Sequence, residues 1–127
     1  MKRRSFVATT LAVLASSETR AAGRIELVYV GAQECPYCKL WRRREQPALV
    51  AAPLFKQIAF TEIEPRRIRD AYNPRNWPAR LLPILQSLLV PDGTPRFVVL
   101  KDGVLYGNHL GDWPETLTEL RRLTGSA

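Results

Sequence analysis

Hydrophobic and polar positions fall into blocks of different period along the chain. Ile25 to Val30 (IELVYV) is apolar and β-rich with one glutamate near its start, the pattern of a buried central strand. Gly31-Ala32-Gln33-Glu34 breaks it. Apolar residues then recur at Tyr37, Leu40, Trp41, Pro47, Ala48 and Ala51, a spacing that predicts one helix with a single buried face. Arg44 interrupts that stripe, and Pro47, which has no N–H to donate, predicts a kink. Gln57 to Glu64 (QIAFTEIE) predicts a second strand. Residues 65–94 are less regular: PRRIRDAYNPRNWP is rich in turn formers and arginine, and ARLLPILQSLL predicts a helix disturbed by Pro83. A turn at Gly93-Thr94-Pro95 precedes a fully apolar strand, Phe97 to Leu100, and Asp102-Gly103 is a hairpin signal returning the chain along Val104 to Leu110. Asp112 is a good N-cap, Pro114 and Glu115 suit a first helical turn, and Leu117, Leu120 and Leu123 mark a C-terminal amphipathic helix.

The order is therefore β-α-β, an irregular helical connection, then β-β-α. A parallel βαβ unit joined to an antiparallel ββα unit predicts an α+β fold with a four-stranded mixed sheet flanked by helices. The chain of 127 residues allows one domain, assigned to residues 24–124, without internal repeats.

Residues 1–23 read differently. MKRR is a basic start, residues 6–15 (FVATTLAVLA) match the apolar core of an export signal, and small residues follow in ASSETRAAG. Ten apolar residues are too few to span a bilayer, which needs about 20. The expectation is an export leader cut after Ala15, Ser17 or Ala21. Arg3-Arg4-Ser5-Phe6 resembles a twin-arginine signal, and a plain secretory signal fits equally well. An uncleaved leader would leave a membrane-anchored form. Export places the domain in the periplasm, where disulfides persist. The leader contributes +3 of the net charge of +7, leaving a mildly basic domain. No arginine–aromatic array accompanies it, and no nucleic-acid partner is expected.

Chemistry concentrates in ECPYCKLWRRR, residues 34–44, which contains both cysteines of the chain. Cys35 falls at or near the start of the predicted helix and Cys38 about one turn inside. Unsatisfied N–H groups and the positive end of the helix dipole favour a thiolate at Cys35. Pro36 fits the first turn, where an N–H would have no partner. Lys39 and Arg42 add positive charge nearby, and Glu34 opposes them. Cys35 is then the attacking thiol, and Cys38, expected to be more buried, resolves the mixed disulfide. Other readings of the pair are a small structural disulfide, two unrelated buried cysteines, or a metal site. Zinc requires about four ligands, and the chain offers only these two thiols and His109.

With these residues in view, the chain resembles the thioredoxin-fold family, over about residues 24–124. CPYC is the motif typical of glutaredoxins. Gly93-Thr94-Pro95, Gly103 eight residues after Pro95, and Gly111 eight residues further on keep step with the thioredoxin pattern. The resemblance implies that Pro95 is cis, that Thr94 offers backbone hydrogen bonds to a partner chain, and that Gly111 lets a substrate segment approach. With Pro36 and Tyr37 these form the implied substrate-binding set, beside catalytic Cys35 and Cys38. Thioredoxins carry a buried aspartate six residues before the first cysteine, where this chain has Tyr29, so that proton-transfer partner is missing or replaced. The leader, CPYC, Trp41 and Pro47 together are similar to the small periplasmic thioredoxins of bacterial sulfur-oxidation clusters, the SoxS type.

The implied activity is reduction of a protein disulfide or mixed disulfide, with a periplasmic sulfur-carrier protein as the suggested partner. A membrane or periplasmic electron donor would recharge the pair. No cofactor or metal is implied, and a monomer is expected. The rival activities are a DsbA-like oxidant, a binding module whose cysteines matter little, and a metal chaperone. Arg42-Arg43-Arg44 reads as a solvated face or an acidic-partner surface, and Trp77 as a groove lining or a cover for the sheet. His109 reads as an ordinary strand residue without an evident carboxylate partner.

Overall fold

The structure, a computed structural model, describes residues 23–126. The leader reading therefore lies outside the described residues, except for Gly23. Four strands, β1 (Ile25–Val30), β2 (Ile58–Ile63), β3 (Arg96–Lys101) and β4 (Val104–Leu110), form one mixed sheet in the order β2-β1-β3-β4. β1 pairs parallel with β2, Ile25 opposite Ile58 and Val30 opposite Ile63. It pairs antiparallel with β3, Val30 opposite Arg96. β3 and β4 form an antiparallel hairpin with an irregularity between Val99 and Leu100. Asp102 and Gly103 at its tip both have positive φ, +54° and +77°, the turn that matches strand twist. The α+β four-stranded sheet predicted from the sequence is the one observed.

Alternation of side chains along the strands divides the core in two. Ile25, Leu27 and Tyr29 share one face with Phe97 and Val99. Val28 and Val30 share the other with Ile63, Val98 and Leu100. The first face is covered by α1 (Pro36–Arg44), α2 (Gln46–Ala51), a short turn at Pro53–Gln57 and α4 (Trp113–Thr124). The second is covered by the irregular 65–94 segment, including α3 (Leu82–Ser87).

The predicted single helix with a kink is two helices. α1 stops at Glu45, whose N–H donates to the Trp41 carbonyl at 2.8 Å, and Pro47 lies in the first turn of α2. Proline clashes with the carbonyl four residues back but is tolerated at a helix start, so the chain breaks before it. The buried face also differs from the predicted stripe. Cys38, Trp41 and Leu49 are buried, while Pro47, Ala48 and Ala51 are exposed and Tyr37 is 72% exposed. The break resets the helical phase, and the residues after it turn a different side to the sheet. Pro83 likewise opens α3 instead of disturbing it. α4 follows its sequence signals: the Asp112 carboxylate accepts from Glu115 N–H at 3.1 Å, and Gly125 ends the helix in the left-handed conformation.

Candidate functional site

Cys35 and Cys38 are joined as a disulfide, with Cα atoms 5.2 Å apart. Local sequence explains the placement. β1 ends at Val30, and the following loop is pinned to the chain after β2 by Gly31 N–H to Ile63 C=O, Gln33 N–H to Pro65 C=O and Glu34 N–H to Arg66 C=O. α1 then starts immediately, with Cys35 as its N-cap and Pro36 in its first turn. Cys35 Sγ accepts from the Cys38 backbone N–H at 3.1 Å. A sulfur so placed sits among the orphan donors and the positive end of the helix, the setting that stabilises a thiolate once the disulfide opens. The two cysteines are equally buried, each 1% exposed, so burial does not rank them as the sequence suggested. Their difference is positional: Cys35 caps the helix and Cys38 lies within it.

The neighbouring charges are not arranged as expected. Arg42 is tied to Glu62 and Glu64 and stands over the Tyr29 ring at 4.5 Å. Burial opposes its charge, but the two carboxylates outweigh burial and hold its pKa above the ordinary value. Its charge is therefore largely neutralised by these carboxylates. Glu34 is turned away into a structural bond, accepting from Ile68 N–H at 2.8 Å. Lys39, Arg43 and Arg44 remain exposed on α1.

A groove of about 500 Å³ runs beside α1, lined by Tyr37, Leu40, Trp41 and Arg44 on one side and by Gly93, Thr94, Pro95, Leu110, Gly111 and Trp113 on the other. The Thr94–Pro95 bond is cis. Gly111 donates its N–H to the Pro95 carbonyl at 2.8 Å, which joins the two glycine-bearing loops at the groove floor. Gly111 has φ +70°, and a β-carbon there would meet nothing within 4 Å, so its surface is open to an approaching chain. Thus Tyr37, Thr94, Pro95 and Gly111, distant in sequence, border one groove. Pro36 lies on the other side of α1, with Lys39, Arg42, Arg43 and Glu64.

Two features were missed from the sequence. Arg96, only 6% exposed, shares the aliphatic face and ties the loop before Pro95 to the sheet. It donates to Tyr72 Oη at 2.8 Å, Asn108 Oδ1 at 2.6 Å and the carbonyls of Val90 and Asp92 at 2.9 and 2.8 Å. Tyr72 in turn donates to the Gly93 carbonyl. Burial raises the Tyr72 pKa, with Arg96 opposing, so this phenol keeps its proton for that bond. The only available signal was an arginine directly after the proline. His109, for its part, has a carboxylate partner: Nε2 lies 3.2 Å from Glu119 Oε1 on α4. Trp77 is buried and donates Nε1–H to the Ala71 carbonyl at 2.8 Å, so it covers the sheet.

A four-stranded β2-β1-β3-β4 sheet with a Cys-x-x-Cys disulfide capping the helix after β1 and a cis-proline directly before β3 is the thioredoxin fold. No protein-family model and no curated protein sequence matches the chain. Solved structures do. One is the reduced form of the periplasmic thioredoxin SoxS from Paracoccus pantotrophus, 22% identical, with a TM-score of 0.54 over 80% of this chain and 97% of that one. Thioredoxin from Malassezia sympodialis is 13% identical with a TM-score of 0.53, over 87% of this chain and 88% of that one. The short form of spinach chloroplast thioredoxin f is 15% identical with a TM-score of 0.51, over 87% of each chain.

Proposed function

We propose that this protein is a thiol-disulfide oxidoreductase that reduces a disulfide in a protein partner through Cys35 and Cys38. The observation that carries this reading is the Cys35–Cys38 disulfide at the first turn of α1, where Tyr37, between the two cysteines, lines a groove that reaches the cis-Pro95 loop. In the reduced protein, the Cys35 thiolate attacks one sulfur of the partner disulfide. A mixed disulfide forms and the second partner sulfur leaves as a thiolate. Cys38 then attacks Cys35 Sγ, the intramolecular disulfide closes, and the partner departs as a dithiol. Two electrons pass to the partner, and a dithiol reductant restores the pair. Thr94 backbone groups and Gly111 hold the partner segment across the groove, with the exposed Tyr37 ring packing along it. Pro36 shapes the turn that presents Cys35.

The finer reading is a periplasmic protein that keeps a sulfur-carrier protein reduced. It is supported by the basic-apolar-small order of residues 1–23 and by the likeness to a periplasmic SoxS. An upstream donor in the membrane or periplasm would supply the electrons.

The test is reduction of insulin with dithiothreitol as donor. Cys35→Ser is expected to abolish the rate enhancement, and Cys38→Ser to retain its partner as a stable mixed disulfide that identifies it. Activity undiminished in Cys35→Ser would remove the reading. The reduction potential separates a reductant, near −270 mV as in thioredoxin, from an oxidant near −120 mV as in DsbA, both on the order of those reference values.

A further inference from the structure

Tyr29 lies on β1 on the face covered by α1. Its side chain is fully buried, stacked on Trp41 at 4.9 Å between centroids, with the Arg42 guanidinium over its ring. Its hydroxyl nevertheless has no hydrogen-bond partner among the described residues. A buried hydroxyl left unpaired is costly, and such a group in a folded protein calls for a reason.

Gly31 locates the reason. A β-carbon at Gly31 would stand 3.1 Å from Cys38 Sγ and would overlap the Tyr29 hydroxyl. The phenol oxygen and the Cys38 sulfur therefore both close on the Cα of Gly31, the phenol filling the space a side chain there would need. The other neighbours do not accept a proton there. Arg42, whose buried Nε–H is itself without a partner, can donate to the phenol oxygen but cannot take its proton, and the carboxylates of Glu62 and Glu64 are engaged by Arg42. In the disulfide, Cys38 Sγ is neutral and a weak acceptor. It becomes a strong one only as a thiolate, during turnover.

We propose that the Tyr29 hydroxyl is the hydrogen-bond donor that stabilises the Cys38 thiolate as it resolves the mixed disulfide, a role that rests on the oxidoreductase reading above. The Cys38 thiol gives its proton to water. The Cys38 thiolate attacks Cys35 Sγ, the Cys35–Cys38 bond forms, and the bond between Cys35 and the partner sulfur breaks. The electron pair leaves with the partner sulfur, which takes a proton from water. Tyr29 keeps its own proton throughout. Burial, with Glu64 and Glu62 adding to it and Arg42 opposing, pushes its pKa up to about 12. It is a donor and never the base, in contrast to a carboxylate at this position, whose charge would disfavour a thiolate beside it.

The experiment uses Tyr29→Phe, which removes the hydroxyl and keeps the ring stacked on Trp41. Cys38 is titrated by its ultraviolet thiolate absorbance in Cys35→Ser and in Cys35→Ser/Tyr29→Phe. An upward shift of ~1 unit is expected, from loss of one hydrogen bond to a charged group. In the otherwise intact protein, Tyr29→Phe is expected to slow release of a partner from a preformed Cys35 mixed disulfide by about 3-fold at neutral pH, the tenfold loss of thiolate being partly offset by its greater nucleophilicity. The first attack by Cys35 keeps its rate. Identical Cys38 titrations with and without the phenol overturn the proposal. The titration requires no turnover, so it decides the role of Tyr29 even if undiminished activity in Cys35→Ser removes the oxidoreductase reading.

Discussion

The two faces of the sheet are built from the same strands and the same alternation, yet they are different materials. On the face that carries the disulfide, Tyr29, Trp41, Phe97 and Trp113 form a continuous aromatic cluster, with centroid separations of 4.9 to 6.1 Å for the contacting pairs. On the opposite face, Val28, Val30, Val98 and Leu100 meet an aliphatic layer from residues 65–94, closed by Trp77. Rigid rings give a flat support for the N-terminus of α1 and enclose polar atoms such as the Tyr29 hydroxyl. The aliphatic layer has no regular helix longer than six residues, and short turns hold it in place through specific bonds. The disulfide sits on the first face, and the second reaches it at two places: Arg96 and Tyr72 fix the loop that ends at Pro95, and Pro65, Arg66 and Ile68 hold the loop before Cys35.

Four experiments bear on that division. The largest effect is expected from Trp77→Ala, which removes the main aromatic filler of the aliphatic layer and should cost ~3–5 kcal/mol in urea unfolding. Disulfide reduction per folded molecule should stay at the wild-type rate. A fall in that rate would mean that the aliphatic packing itself, and not only its hydrogen bonds to the two loops, supports the site. Next is Arg96→Met, which leaves four acceptors without their donor and should cost about 3 kcal/mol. Here the division should fail in a defined way. Reduction of a protein disulfide drops with the displaced Pro95 loop, while reaction of Cys35 with a small aromatic disulfide does not.

High pH compares one phenol from each face. Burial raises the pKa of both Tyr29, to about 12, and Tyr72. A folded value above the unfolded one stabilises the neutral form, so this contribution is complete below about pH 10 and is lost as pH rises toward the folded value. Melting temperature should therefore decline above about pH 10, and less steeply in Tyr29→Phe. The smallest effect belongs to Glu26, which accepts two hydrogen bonds from Arg80 at 2.8 Å each. The Arg80 bond is the main reason its pKa lies below the ordinary 4.5, with burial opposing. That stabilisation is present above the ordinary value and disappears as pH falls through the lowered folded value. Because the Arg80 side chain is 58% exposed, Glu26→Gln should cost no more than ~1 kcal/mol at neutral pH, with the two stability curves converging in acid.

Much of this molecule was legible residue by residue. The apolar runs at Ile25 to Val30 and Phe97 to Leu100, the Asp102-Gly103 turn and the capped last helix appear as read, because strand alternation, turn chemistry and helix caps act over a few neighbouring residues. The same locality exposed Cys35 as an N-cap. What misled was the continuity of the pattern from Tyr37 to Ala51. Counting 3.6 residues per turn across Pro47 assumes an unbroken helix, and the break at Glu45 turns Leu49 inward; within α1 the buried stripe runs through Cys38 and Trp41 and leaves Tyr37 outside. The export leader, which rests on residues 1–23, remains an expectation from the sequence.

The sequence by itself determined the strand parity, the helix boundary at the cysteines and the pairing of two thiols within one turn, all consequences of local backbone geometry. Only the tertiary structure decided which distant groups meet. It brought Arg96 to the carbonyls that hold the Pro95 loop, Glu119 to His109, and Arg42 to two glutamates in place of the thiols. It also set the Tyr29 hydroxyl and Cys38 on either side of Gly31. The physical reason is that such encounters depend on sheet register and on how helices settle across it, and neither is encoded in the spacing of residues along a single segment.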